Sequence, residues 1–214
     1  MGETFDEYVS LGDRCETAFQ IRRVLGMDGM FASFFNWNVT HIDALHTLLT
    51  TRFKDILRFD HLTPTEWLVH DAAGDYLFHL TGEGRRSKEH PDFLSDLENH
   101  RNKVAHMLEN YFALANSGRR ICYFYRTEDT GDQLSHAALI RDDLSSIHGN
   151  QEFALVFLQQ EEARSPRWNE PMIFNRYVRR LSPKEDQGDS HILSWDAVFR
   201  EFPRHGHMNL CYWL

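Results

Sequence analysis

Apolar positions fall in blocks along this chain, and the period within each block names an element. Tyr8-Val9 reads as a short strand, followed by Ser10-Leu11-Gly12-Asp13-Arg14-Cys15. Ala18, Ile21 and Leu25 then recur at helical spacing with Phe19 beside them, which predicts strand, glycine turn and helix. Residues 26–29 end that helix, and an aromatic run interrupted by amides follows at 30–38. Thr40, with Asp43 three positions on, reads as the cap of a helix carrying Ile42, Leu45, Leu49 and Phe53. Residues 66–70 and 76–80 read as paired strands turned at Ala73-Gly74-Asp75. Pro91 opens a long helix through Leu94, Leu97, Arg101, Val104, Leu108, Tyr111 and Ala115, stopped at Gly118.

The second half alternates strand and helix. Residues 121–125 and 153–158 are unbroken apolar runs, as expected of strands buried on both faces. Between them Leu134, Ala138, Arg141, Leu144 and Ile147 mark a helix ended by Gly149, so the two strands should be parallel. Residues 172–178 read as a further strand, and Ser194 as the cap of a last helix reaching Phe202. The expectation is one α/β domain over residues 1–214. It has an open, mostly parallel doubly wound sheet, flanking helices and a small β-hairpin insertion.

Charge narrows the function. The chain has 23 basic and 32 acidic residues, a net charge of −9, which argues against nucleic-acid binding. Three widely spaced cysteines, Cys15, Cys122 and Cys211, build neither a zinc ribbon nor a disulfide scaffold and fit a reducing, cytoplasmic setting. The start of the chain lacks a signal-peptide pattern, and no apolar run is long enough for a membrane span. No dinucleotide or phosphate-loop motif is present, so no cofactor is expected. The Gly82–Lys88 stretch is glycine-rich and basic but lacks the strand and helix a phosphate loop needs. His205-Gly206-His207 supplies two imidazoles, too few for a metal site, and no metal is expected.

A thiol at a helix start, just past a strand end, is where a cysteine becomes a nucleophile; a packed small side chain is the equally available reading of Cys15. A nucleophile needs a base and an orienting group. Among 13 histidines, His79 at the end of an aromatic strand is the preferred base, and His70 beside Asp71 the alternative. Asn36 could orient an imidazole or simply close the loop before Trp37. Arg14, Trp37 and Arg126 are candidate substrate contacts. Arg126 follows a buried strand, where a cation could meet an anion, and ion pairing with Asp13, Glu128 or Asp129 is its plainer role.

Ser10-Leu11-Gly12 with Cys15, Ala18 through Arg22-Arg23, Phe35-Asn36-Trp37, the strand ending at His79, and Tyr123 to Arg126 carry a resemblance. Over residues 8–128 the chain resembles a bacterial family of unknown function labelled as papain-like cysteine peptidases. The resemblance puts the family's cysteine on Cys15 and its histidine on His79. Where the family tends to have Pro-Phe-Asp-Trp, this chain has Phe34-Phe35-Asn36-Trp37, and the carboxylate is lost. Papain-type domains have an antiparallel barrel-like half, whereas residues 121–158 read as βαβ. The strand, turn and nucleophile at a helix start are similar to those of SGNH-type hydrolases, with Cys for Ser, although this C-terminus lacks their Asp-x-x-His.

Two functions follow as expectations. One is a thiol-dependent hydrolase or acyltransferase acting on a small or peptide-like acyl compound. The other is a non-catalytic module binding a carbohydrate, a nucleotide-sugar or a protein through the 34–38 loop and Arg126. Nothing in the pattern fixes an oligomeric state.

Overall fold

The computed structural model describes residues 4–80, 87–149 and 151–211. The glycine-rich basic stretch at 82–88 therefore lies outside the described residues, apart from Ser87 and Lys88. In chain order the elements are β1 (Glu7–Ser10), α1 (Glu16–Leu25), β2 (Asn38–Val39), α2 (Ile42–Thr50), β3 (Leu62–Pro64), β4 (Val69–Asp71) and β5 (Tyr76–Phe78). They continue with α3 (Phe93–Ala115), β6 (Ile121–Arg126), α4 (Gln133–His148), β7 (Phe153–Gln160), β8 (Ile173–Val178) and α5 (Ile192–Glu201). β1, β6, β7 and β8 form a parallel sheet in that order, with Tyr8 opposite Cys122, Tyr123 opposite Leu155 and Phe157 opposite Asn175.

The apolar runs of β6 and β7 have a direct cause. Tyr123, Tyr125, Leu155 and Phe157 pack into a core shared with Leu45 of α2, Leu97 of α3 and Ile140 of α4. Their neighbours Cys122, Phe124, Ala154 and Val156 face Ile21 and Val24 of α1 and Trp195 and Phe199 of α5. Successive strand side chains point to opposite faces, so a sheet covered by helices on both sides needs no polar alternation. The α/β architecture expected from the sequence is the one observed. Among the described residues the antiparallel part is a small second sheet, in the order β2-β5-β4-β3, and no barrel. The expected hairpin is its β4–β5 pair; β2 and β3, two and three residues long, are too short to show a period. Among the described residues no helix is long and apolar enough to cross a membrane.

Local corrections have physical reasons. The second helix is capped by His41 rather than Thr40, whose N–H is used by Asp13 O at 2.9 Å. The last helix is capped by His191, whose ring accepts from Ser194 N–H. The long helix begins at Phe93, which is buried while Leu94 is 62% exposed. α4 buries Ala137, Ile140, Leu144 and Ile147, together with Gln133, Asp143 and His148. Its inner face is thus rotated by about one residue from the Leu134–Ala138–Arg141 stripe. Asp143 is drawn inward by His46 of α2, whose Nδ1 lies 2.7 Å from Oδ2.

His148 ends α4 with Nε2 2.6 Å from the buried Tyr123 hydroxyl. Burial pushes its imidazole down to about 4, and burial does the same to His100. The unfolded imidazole takes its proton near pH 6.5, so the stability from a neutral His148 is intact above about 6.5. It is lost as pH falls toward 4, at up to about 1.4 kcal/mol per pH unit. Urea unfolding between pH 7 and 4.5 should lose more stability in the wild type than in His148→Gln. Parallel losses in the two proteins would remove His148 as the titrating group.

Candidate functional site

β1 ends at Ser10, and Leu11 N–H still pairs with Phe124 O at 2.9 Å before the chain leaves the sheet. Gly12 makes the departure at φ +102, where a Cβ would lie 3.2 Å from both Cβ and O of Thr40, so only glycine fits. Asp13 and Arg14 follow, and Cys15 sits at the N-cap of α1, accepting from Phe19 N–H at 2.9 Å. The thiol is thus held, partly buried, where the sequence placed it: past a strand end and at a helix start.

Glu16 anchors this turn. Its side chain is fully buried and its Oε2 accepts from Arg126 Nε at 3.1 Å and from Ser182 N–H at 3.0 Å. Oε1 accepts from the Trp195 indole at 3.0 Å. Arg126, also fully buried, donates to Glu128 Oε1 at 2.9 Å and Ser182 O at 3.3 Å, with Asp13 Oδ2 3.7 Å away. Asp13 in turn lies 2.7 Å, through Oδ1, from Nδ1 of His41. A charge chain Glu16–Arg126–Asp13–His41 therefore runs from the core to the surface beside Cys15.

Burial pushes the Cys15 thiol up; its own backbone contact and then the Arg14 charge oppose that, less strongly. The resting sulfur is a neutral thiol, and attack on a carbonyl requires a base. The contact with Asp13 holds the His41 imidazole above its ordinary value against its partial desolvation, and Asp129 adds to the rise. With Nδ1 facing Asp13, Nε2 lies toward the exposed end of the pair.

The other candidates are dispersed. His79 and Trp37 line a cavity of about 540 Å³ between the small sheet and α3, with Phe34, His100, Val104 and Met107. Burial lowers both His79 and His100, so these imidazoles are neutral at pH 7. Trp37 meets Phe19 edge-on at 5.2 Å, one helical turn beyond Cys15, so the cavity wall adjoins the thiol's helix. Asn36 is buried and donates through Nδ2 to Phe31 O at 2.9 Å, which closes the aromatic loop. Among the described residues no hydrogen bond joins Cys15, His79 and Asn36 to one another. Arg126 at the sheet's end is fully buried and turned inward by Asp13, Glu16 and Glu128, in the ion-pairing role that was the plainer of its two readings. Arg14 remains beside the thiol. His70 pairs with Asp75 at 2.8 Å, while Asp71 caps Ala73 N–H at 3.0 Å. His205 meets Thr4 Oγ1 at 2.8 Å and His207 meets Asn209 at 3.1 Å, so that pair does not converge.

Sequence reasoning missed Glu16 and His41 and offered Asp13 only as a pairing option for Arg126; the His41 signal is an imidazole immediately before a helix, the position from which a cap points back at the preceding loop.

No curated protein matches this chain, and no solved structure does. One family model matches residues 6–182, which takes in the Cys15 turn, His41, the cavity residues and the Glu16–Arg126–Ser182 anchor, and extends past the 8–128 stretch of the sequence resemblance. The chain belongs to the family described as "Putative papain-like cysteine peptidase".

Proposed function

We propose that this protein is a thiol-dependent hydrolase or acyltransferase in which Cys15 is the nucleophile and the Asp13–His41 pair is its base. The observation that carries the reading is the 2.7 Å contact of an Asp–His pair two residues from a cysteine at a helix start. Cys15 Sγ adds to a carbonyl carbon as His41 Nε2 accepts the thiol proton. The first-turn N–H groups of α1, which have no intrahelical acceptor, meet the developing oxyanion. Collapse expels the amine or alcohol, which takes the proton back from His41, and leaves a thioester. Water or a second nucleophile then releases the acyl group and restores the thiol. The cavity walled by Phe34, Trp37, Val104 and Met107 suits the apolar part of an acyl compound, since burial keeps His79 and His100 on its wall uncharged and its volume lies within the range of small-molecule pockets. Arg14 favours an anionic group near the thiol.

The pair has a pH signature. Asp13 stabilises the imidazolium, so the acid limb of kcat/KM should lie above the ordinary histidine value of about 6.5. Asp13→Asn should move that limb to lower pH and lower the plateau, with circular dichroism confirming the fold. An acid limb that does not move would remove His41 from the role of base.

The raised thiol and the separate apolar cavity favour one other reading, a binding module for a carbohydrate, nucleotide-sugar or protein. Absence of turnover by the wild type on thioester, ester and peptide-amide panels, together with saturable binding of such a ligand, would select it.

A further inference from the structure

A second cavity, of about 310 Å³, runs along β8 and α5 from Ser194 to Glu201. Its lining holds four arginines, Arg164, Arg167, Arg176 and Arg179, against two carboxylates, Glu161 and Glu201. Arg164 pairs with Glu161 at 3.0 Å and Arg176 with Glu201 at 2.6 Å. Among the described residues the guanidinium groups of Arg167 and Arg179 have no carboxylate partner. Four cations less two anions leave an excess of +2 in one cavity of a chain whose net charge is −9. Local charge this far from the global balance concentrates the anion it faces.

The cavity wall is also fixed. The Arg164 guanidinium stacks over the Tyr177 ring at 5.1 Å, and Arg176 over Phe202 at 5.2 Å. Buried Asn175 donates to the Tyr177 hydroxyl at 2.8 Å, and that hydroxyl lies 2.9 Å from Ser165 Oγ. Arg179 directly follows the carboxyl end of β8, the side on which parallel sheets take their ligands. Planar guanidinium forks match the oxygens of a phosphoryl group, and two uncompensated cations match a dianion.

We propose that this cavity binds a small phosphomonoester, with Arg167 and Arg179 holding the phosphoryl dianion. The volume, at the lower end of small-molecule pockets, admits a phosphoryl group with a short organic body. The site is separate from the Cys15 chemistry, and its test needs no turnover.

Calorimetric titration of the full chain with inorganic phosphate and with ribose 5-phosphate, at matched ionic strength in chloride, tests the proposal. One saturable site is expected for both, with the ester at least as tight as the free ion. The Arg167→Ala/Arg179→Ala double variant, at two exposed positions that should leave folding intact, is expected to weaken binding about tenfold or more. Three results would overturn the proposal. No saturable binding of either probe would leave the arginines as guards of an edge strand. Unchanged affinity in the double variant would put the anion elsewhere. Binding of inorganic phosphate alone would exclude the ester.

Discussion

Glu16→Ala is expected to cost about 3–5 kcal/mol of folding stability, the range for breaking a buried ion pair from one side. The carboxylate is fully buried and accepts from three donors, Arg126 Nε, Ser182 N–H and the Trp195 indole. Alanine strands all three and leaves Arg126 short of negative charge, with Glu128 and Asp13 as its remaining anions. Total stability of a domain is about 5–15 kcal/mol, so this one change consumes a large share of it. Glu16→Gln keeps two acceptor directions and should cost less, about 1–3 kcal/mol. Arg126→Met and Glu16→Gln combined should cost less than the sum of the two separately, because each single variant leaves the other partner buried without its closest counter-charge. Equilibrium urea unfolding read by tryptophan fluorescence compares the four variants with the wild type. A Glu16→Ala protein within about 1 kcal/mol of the wild type would show that the three donors find other acceptors.

The same residue explains where sequence reading stopped. A glutamate directly after a helix cap reads as a solvated first-turn acid favoured by the helix dipole. Its burial depends on partners 110, 166 and 179 residues away, which no local period can reveal. The two readings of Arg126 could not be separated locally for the matching reason. A cation at the end of a buried strand looks poised over a cleft until three carboxylates, two of them from the 13–16 turn, draw it inward. The strands were legible because burial on both faces leaves a purely apolar run, as at 121–125 and 153–158. α4 was legible in extent but not in facing, because Asp143 and His148 sit on its inner side with polar partners from other elements. Of the candidate site, the position of Cys15 could be read, since strand, glycine and helix are local features. The proposed base could not: among 13 histidines, His41 is set apart only by a partner, Asp13, that lies in the Cys15 turn and reaches it across the contact of Thr40 with Gly12.

Cys15→Ala is expected to lower kcat/KM roughly a thousandfold or more on any acyl substrate the protein turns over, with the fold unchanged. The sulfur is partly exposed and makes no cap hydrogen bond, so its removal should move stability by less than about 1 kcal/mol. Turnover of p-nitrophenyl esters, thioesters and peptide aminomethylcoumarin amides, compared between wild type and variant, reads the first quantity, and urea unfolding reads the second. Alkylation by iodoacetamide separates two ways the thiol could act. Burial outweighs its own backbone contact and Arg14, so Cys15 labelling should rise only above the free-thiol value of about 8.5, and ahead of fully buried Cys122. A labelling plateau that persists below pH 7 would mean a preformed thiolate–imidazolium pair, and the neutral-thiol step would be wrong. Turnover that survives in Cys15→Ala would end the nucleophile assignment itself. Loss of turnover together with late, base-dependent labelling is the combination expected if the proton leaves the sulfur only as the carbonyl is attacked, with the Asp13–His41 pair receiving it.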